Sequence, residues 1–128
     1  RLAYAVAVGE SMRVSGCAVV RDDKGVPTGL GEAYSIYQTD VAALSWVDEV
    51  TVAVLAKANT AGVAQLAYAP VGGMVTDMTQ VTNAERLVSG KHGGQVSVLT
   101  DQGQLMVSSG ATWVPSYSGL KAATYSRV

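Results

Sequence analysis

The chain has no phenylalanine, one cysteine, three prolines and 6% aromatic residues, and only 15% of its 128 residues are charged. A single Cys17 excludes an intrachain disulfide and any CxxC metal site. Its setting in Ser-Gly-Cys17-Ala-Val-Val predicts a small buried hydrophobe. No run of about 18 apolar residues occurs, so no membrane-spanning helix is expected. The apolar stretch from Leu2 to Val8 is too short for one and carries no signal-peptide cleavage pattern. The chain starts on Arg1 and not on Met, which points to processing or to a preceding segment. Net charge is −1, and the basic residues are scattered singly from Arg1 to Arg127. A nucleic-acid surface needs clustered Lys or Arg to displace phosphate counterions, so neither nucleic acid nor membrane is an expected partner.

Signatures of catalysis and cofactor binding are also missing. Gly29-Leu-Gly31 begins like a dinucleotide loop, but Tyr34 stands at the third glycine position and no long helix follows. The glycine-rich stretch 90–94 lacks the Lys-Ser/Thr of a phosphate-binding loop. No Gly-x-Ser-x-Gly elbow occurs. Asp22-Asp23 and Asp48-Glu49 are adjacent pairs on turns, whose side chains diverge and lack the spaced oxygens of a calcium loop. His92, in Gly90-Lys-His-Gly-Gly94, is the only histidine. A general base needs an orienting partner, and spacing alone brings none of Asp77, Glu85 or Asp101 to it. The expectation is a protein without catalytic residues, cofactor or metal.

What is present is Val and Ala in quantity, 48% hydrophobic residues and 14 glycines. β-Branched side chains suit a pleated surface, and frequent glycines suit turns. A chain of this length buries roughly two-thirds of its unfolded surface. Residues 2–8 read as a strand ended by Gly9, and Met12 to Val20 as a second. Arg21 to Gly25 is a polar turn with Gly25 free to take a left-handed conformation, and Val26 to Tyr37 returns as a partner strand. Asp40 is placed to cap a short helix over 41–47, because Val41, Leu44 and Val47 have helical spacing. Strands follow over 49–56, 63–68 and 74–81. Asn83 caps one helical turn through Val88, and residues 121–128 add a last edge strand. About eight to ten short strands, turned every eight to twelve residues, predict one mainly β domain over 1–128. It is a sandwich or barrel of antiparallel strands with at most one or two short helices, and no internal repeat is evident.

The clearest local signal is residues 93–115, GGQVSVLTDQGQLMVSSGATWVP. A two-residue loop at Gln102-Gly103 sets Val98 opposite Val107 and Val96 opposite Ser109, gathering Val96, Val98, Leu105 and Val107 on one face. A three-residue loop would put Val98 opposite Met106 and scatter that set. This segment, about a fifth of the chain, resembles tailed-bacteriophage virion structural proteins. It shares the Gly-polar-Val-x-Val-turn cadence of head-decoration (cement) proteins and the Ser-Gly-x-x-Trp of tail proteins, here Ser109 to Trp113. The resemblance implies a non-enzymatic virion subunit that binds its own copies and other virion proteins. It implies no catalytic residue.

Low charge and hydrophobic composition likewise suggest apolar surface covered by neighbouring copies. Candidate contact segments are Leu2–Val8, 90–94 and 117–128, with Leu2, Tyr4, Trp113, Tyr117 and Tyr125 as contact residues. The alternatives are a monomeric β-sandwich binding module, with a surface around Trp46, Trp113 or Tyr117, and a small β-rich enzyme. The enzyme would draw on His92, Asp77, Asp101 or Arg86.

Overall fold

The computed structural model describes residues 1–75, 77–89, 96–109 and 112–121. Among these there are thirteen strands and no helix, so the expected mainly β fold of short antiparallel strands is what the chain adopts. The strands are β1 (Leu2–Val8), β2 (Ser11–Cys17), β3 (Val19–Arg21), β4 (Pro27–Leu30), β5 (Tyr34–Thr39), β6 (Val41–Trp46) and β7 (Thr51–Ala56). They continue with β8 (Val63–Pro70), β9 (Asp77–Thr82), β10 (Ala84–Ser89), β11 (Val96–Thr100), β12 (Leu105–Ser109) and β13 (Thr112–Tyr117). Three sheets result: a first sheet β1-β2-β5, a middle sheet β6-β7-β8-β9 and a last sheet β10-β11-β12-β13. A two-stranded arm, β3-β4, extends from the first.

The sheets stack face to face through two apolar layers. Val14 of the first sheet meets Val41, Val52 and Val54 of the middle sheet, with Met12, Leu44 and Trp46 packed around them. On its other face the middle sheet sends Ala53, Leu55, Leu66 and Val81 against Val96 and Val98 of the last sheet. Side chains alternate along a strand, so β7 feeds both layers at once, Val52 and Val54 one way and Ala53 and Leu55 the other. All four are essentially inaccessible to water. A strand covered on both sides reads as an unbroken apolar run, which is the sequence Val-Ala-Val-Leu-Ala of β7. The first strands of successive sheets, β1, β6 and β10, lie beside one another along one edge of the stack.

The middle and last sheets are copies of one unit, which corrects the expectation of no internal repeat. Val52-Ala-Val-Leu55 recurs as Val96-Ser-Val-Leu99, about 44 residues on. Each first strand carries a bulge at its second residue, between Val41 and Ala43 in β6 and between Ala84 and Arg86 in β10. The residue before it accepts the same backbone bond: Asp40 C=O from Lys57 N–H at 2.8 Å, and Asn83 C=O from Asp101 N–H at 3.0 Å.

One turn design also recurs three times. In Asp22–Gly25, Asn59–Gly62 and Thr100–Gly103, the fourth residue's N–H donates to the first residue's C=O at 3.0–3.1 Å. That fourth residue is glycine with φ between 78° and 81°. The first residue's side chain braces the loop: Asp22 Oδ1 accepts from Lys24 and Val26 N–H, Asn59 Oδ1 from Ala61 and Val63, and Thr100 Oγ1 from Gln104. This is a three-residue hairpin loop closed by a left-handed glycine.

Several local expectations change. The 93–115 hairpin pairs Val98 with Met106 and Leu99 with Leu105, in the three-residue register and not the two-residue one. All of β11 is buried, so gathering apolar residues on one face selects nothing, and Thr100 and Gly103 set the register instead. The helix expected over 41–47 is β6, and the helical turn from Asn83 is β10. In both, the helical spacing comes from a bulged strand whose two faces meet apolar neighbours, and Asn83 is left-handed at φ 58°. The single strands expected over 12–20 and 26–37 each break in two, because the chain bends out into the arm, where Gly31 N–H donates to Ala18 C=O. These breaks raise the strand number above the eight to ten expected. The last edge strand expected over 121–128 lies, beyond Lys121, outside the described residues.

Two consequences are testable by thermal or chemical unfolding. Gly25→Ala meets only the left-handed backbone, with nothing within 4 Å of the new Cβ, and should lose about 1–2 kcal/mol. Gly103→Ala adds a clash with the Leu120 carbonyl oxygen, 2.7 Å from that Cβ, and should lose distinctly more. Separately, Asp48 Oδ1 accepts from Val50 and Thr51 N–H at 2.8 Å. The Val50 bond leads in holding its carboxyl below the usual aspartate range; desolvation opposes it, and Thr51 adds to it. A depressed native value stabilises above the ordinary range and is lost as pH falls through it. Asp48→Ala should therefore cost stability at neutral pH, and its difference from the parent should shrink in acid.

A groove between the middle and last sheets

At the edge of the stack away from β6 and β10, the middle and last sheets part to leave a groove of about 550 Å³. One wall is β9 from Met78 to Thr82, and the other is Met106 of β12 with Trp113 of β13. Among the described residues β9 pairs only with β8, so it forms the outer edge of its sheet. Val81 is buried in the apolar layer beneath, while Met78 is exposed at the rim. Between them the Thr79 hydroxyl is buried and has no hydrogen-bond partner. An orphan hydroxyl of this kind costs about 1–3 kcal/mol relative to a satisfied one.

Among the described residues, no Asp, Glu, Lys, Arg or His lines this groove. What it offers is an indole, two thioethers, two threonine hydroxyls and the Gln80 amide. A phosphate or carboxylate ligand would lose its hydration there without a counter-charge. An uncharged ligand with both an apolar face and hydroxyl or amide groups would keep its bonds.

The residues singled out from sequence are spread widely. Trp46 packs in the layer between first and middle sheets and Trp113 in the layer between middle and last, both partly buried, so they do not share a surface. Tyr117 is largely exposed on β13. Leu2 and Tyr4 lie on β1. Asp101 sits in the β11–β12 turn beside Asn83, whereas Asp77 begins β9 at its far end, roughly 17 Å away along a six-residue strand. Glu85 and Arg86 are exposed on β10. His92 and Tyr125 lie outside the described residues, as do residues 90–95. Among the described residues, no three His, Cys, Asp or Glu side chains are grouped to hold a metal. Thr79 and Gln80 drew no notice in the sequence, and a Thr-Gln pair on an otherwise polar strand carries no signal there.

Thr79→Val keeps the side chain's shape and removes the unpaired hydroxyl. The variant should be as stable as the parent or up to about 1 kcal/mol more stable, measured by denaturant unfolding. A clear loss of stability would mean that the hydroxyl is satisfied.

No curated protein and no solved structure matches the chain. The family model of the lipoprotein LpqB β-propeller domain, Gmad1, matches residues 1–124. The middle and last sheets are thus propeller blades in type, four-stranded antiparallel meanders packed face to face with their first strands side by side, and the first sheet is a three-stranded counterpart carrying the arm. This overturns the resemblance to tailed-phage virion proteins, and with it the capsid-decoration or tail role and the virion location. The Val-x-Val cadence and the turn that suggested a phage hairpin are one copy of the repeated unit, present also in Val52–Leu55. Matched along nearly its whole length, the chain belongs to the lipoprotein LpqB β-propeller domain family.

Proposed function

We propose that this chain is a non-catalytic binding module acting at the cell envelope, and that it holds an uncharged glycan in the groove between β9 and β12–β13. The lipoprotein family supports the location. The observation that carries the ligand class is the groove's chemistry: an indole beside the exposed Gln80 and Thr82, with no charged side chain among the described residues that line it. A sugar ring offers C–H groups to lie on an aromatic face and hydroxyls to pair with Thr82 and Gln80. A groove of about 550 Å³ is within the range of roughly 300–1,000 Å³ typical of small-ligand sites.

Titration of the protein with neutral and anionic oligosaccharides, followed by calorimetry, tests this. Neutral oligosaccharides should bind, anionic ones of equal length should bind at least about tenfold more weakly, and Gln80→Ala should weaken the neutral series by about tenfold, near 1.4 kcal/mol. Equal binding of both classes, or binding unchanged in Gln80→Ala and Thr82→Ala, would remove the groove as the site. Binding of neutral peptides in place of the sugars would overturn the ligand class.

A further inference from the structure

The groove runs along an open strand edge. Consecutive strand residues send their side chains to opposite faces, yet Met78, Thr79, Gln80, Val81 and Thr82 all line it. What five successive residues share is one side of the backbone. The other side of β9 is bonded to β8, and among the described residues no strand lies beyond.

Two hydrogen bonds fix which main-chain groups point outward. In an antiparallel ladder, residue pairs that exchange N–H and C=O bonds alternate with pairs that do not. Asn83 N–H donates to Gly62 C=O at 2.7 Å, one step past the Thr82–Val63 pair. The bonded pairs further along are then Val81 with Ala64 and Thr79 with Leu66. On the far side of β8, Val71 N–H donates to Val50 C=O at 2.7 Å, one step past the Thr51–Pro70 pair. Ala69 and Ala67 therefore turn their main-chain groups to β7, leaving those of Leu66 and Ala64 for β9. Both bonds give the same parity, and Pro70, with no N–H to donate, falls on an unbonded pair. Met78, Gln80 and Thr82 thus hold their N–H and C=O groups toward the groove.

In an extended residue the amide nitrogen and the carbonyl oxygen stand about 2.8 Å apart and point the same way. Two gauche hydroxyls on neighbouring carbons of a sugar ring have nearly the same spacing. One of them accepts from the N–H while the other donates to the C=O, so both main-chain groups are satisfied without any charge. Gln80 is the middle of the three outward residues, and Met106 and Trp113 form the wall across the groove.

We propose that the main chain of Gln80 binds a vicinal diol, so that the groove selects glycans with two free hydroxyls on adjacent ring carbons. This rests on the neutral-glycan reading of the groove and adds which part of the sugar is read. The 2- and 3-hydroxyls of a 1,4-linked hexose chain meet the requirement at every residue. The interior residues of a 1,3-linked chain have no such pair.

The test is amide hydrogen exchange and NMR titration of the full chain with the methyl glycosides of the α- and β-1,4-linked glucose tetrasaccharides. Forms of each lacking every 3-hydroxyl or every 6-hydroxyl are titrated alongside. In the free protein the Thr79 and Val81 amides should be protected and the Gln80 amide should exchange freely. At least one tetrasaccharide should bind and protect Gln80. Its 6-deoxy form should bind equally, and its 3-deoxy form, with no adjacent pair, at least about tenfold more weakly. Equal binding of the two deoxy forms, or a Gln80 amide unprotected in the complex, would overturn the diol contact and leave the neutral-glycan groove standing. A Gln80 amide already protected in the free protein would overturn the open edge. Binding of neither tetrasaccharide would overturn the diol and the glycan together. Protection of Gln80 by an uncharged peptide alone would do the same and make β9 a site for an added strand.

Discussion

Everything in this molecule depends on the middle sheet being apolar on both faces. β7 supplies Val52 and Val54 to one layer and Ala53 and Leu55 to the other, and none of the four retains meaningful access to water. Fully burying a Val or Leu side chain stabilises by about 1.5–3 kcal/mol, so this strand concentrates a large share of the favourable energy in one place. The alternation of Val with Ala has a geometric reason as well. Small residues on one face let the neighbouring sheet approach closely, and no phenylalanine is needed to fill the space between.

The turns add the second constraint. A three-residue loop with a left-handed glycine and a bracing Asp, Asn or Thr is used at Asp22, Asn59 and Thr100. In the middle and last sheets it joins the second strand to the third directly. In the first sheet the same turn sits at the tip of the β3-β4 arm, which extends the hairpin beyond the layer. Val20, Val26 and Leu30 of the arm are exposed, so its pairing rests on backbone bonds and on the Asp22 brace more than on burial.

The β class, the abundance of turns, the buried Cys17 and the left-handed Gly25 were all legible in the sequence. The register of the 93–115 hairpin was not, because alternation informs only when one face of a strand is wet, and β11 is dry on both. The same double burial made Val41, Leu44 and Val47 look helical. The repeat was within reach: Val-Ala-Val-Leu and Val-Ser-Val-Leu recur at about the propeller period of roughly 40–45 residues, and Asp22, Asn59 and Thr100 each precede a glycine by three. One copy, with its turn and Trp113, is distinctive enough by itself to resemble a phage hairpin. The groove was beyond sequence reasoning, since β9 meets Met106 and Trp113 only through stacking of separate sheets.

In the proposed binding role the recognition surface lies at the outer edge, while cohesion lies in the layers between sheets. Native-state hydrogen exchange tests that division most directly. If the doubly buried middle sheet holds the stack together, the β7 amides should be the slowest to exchange, with β11 close behind, and should open only with global unfolding. The arm should exchange fastest among the strands. β7 amides that exchange as readily as those of the edge strand β9, or that open while the outer sheets remain protected, would contradict it.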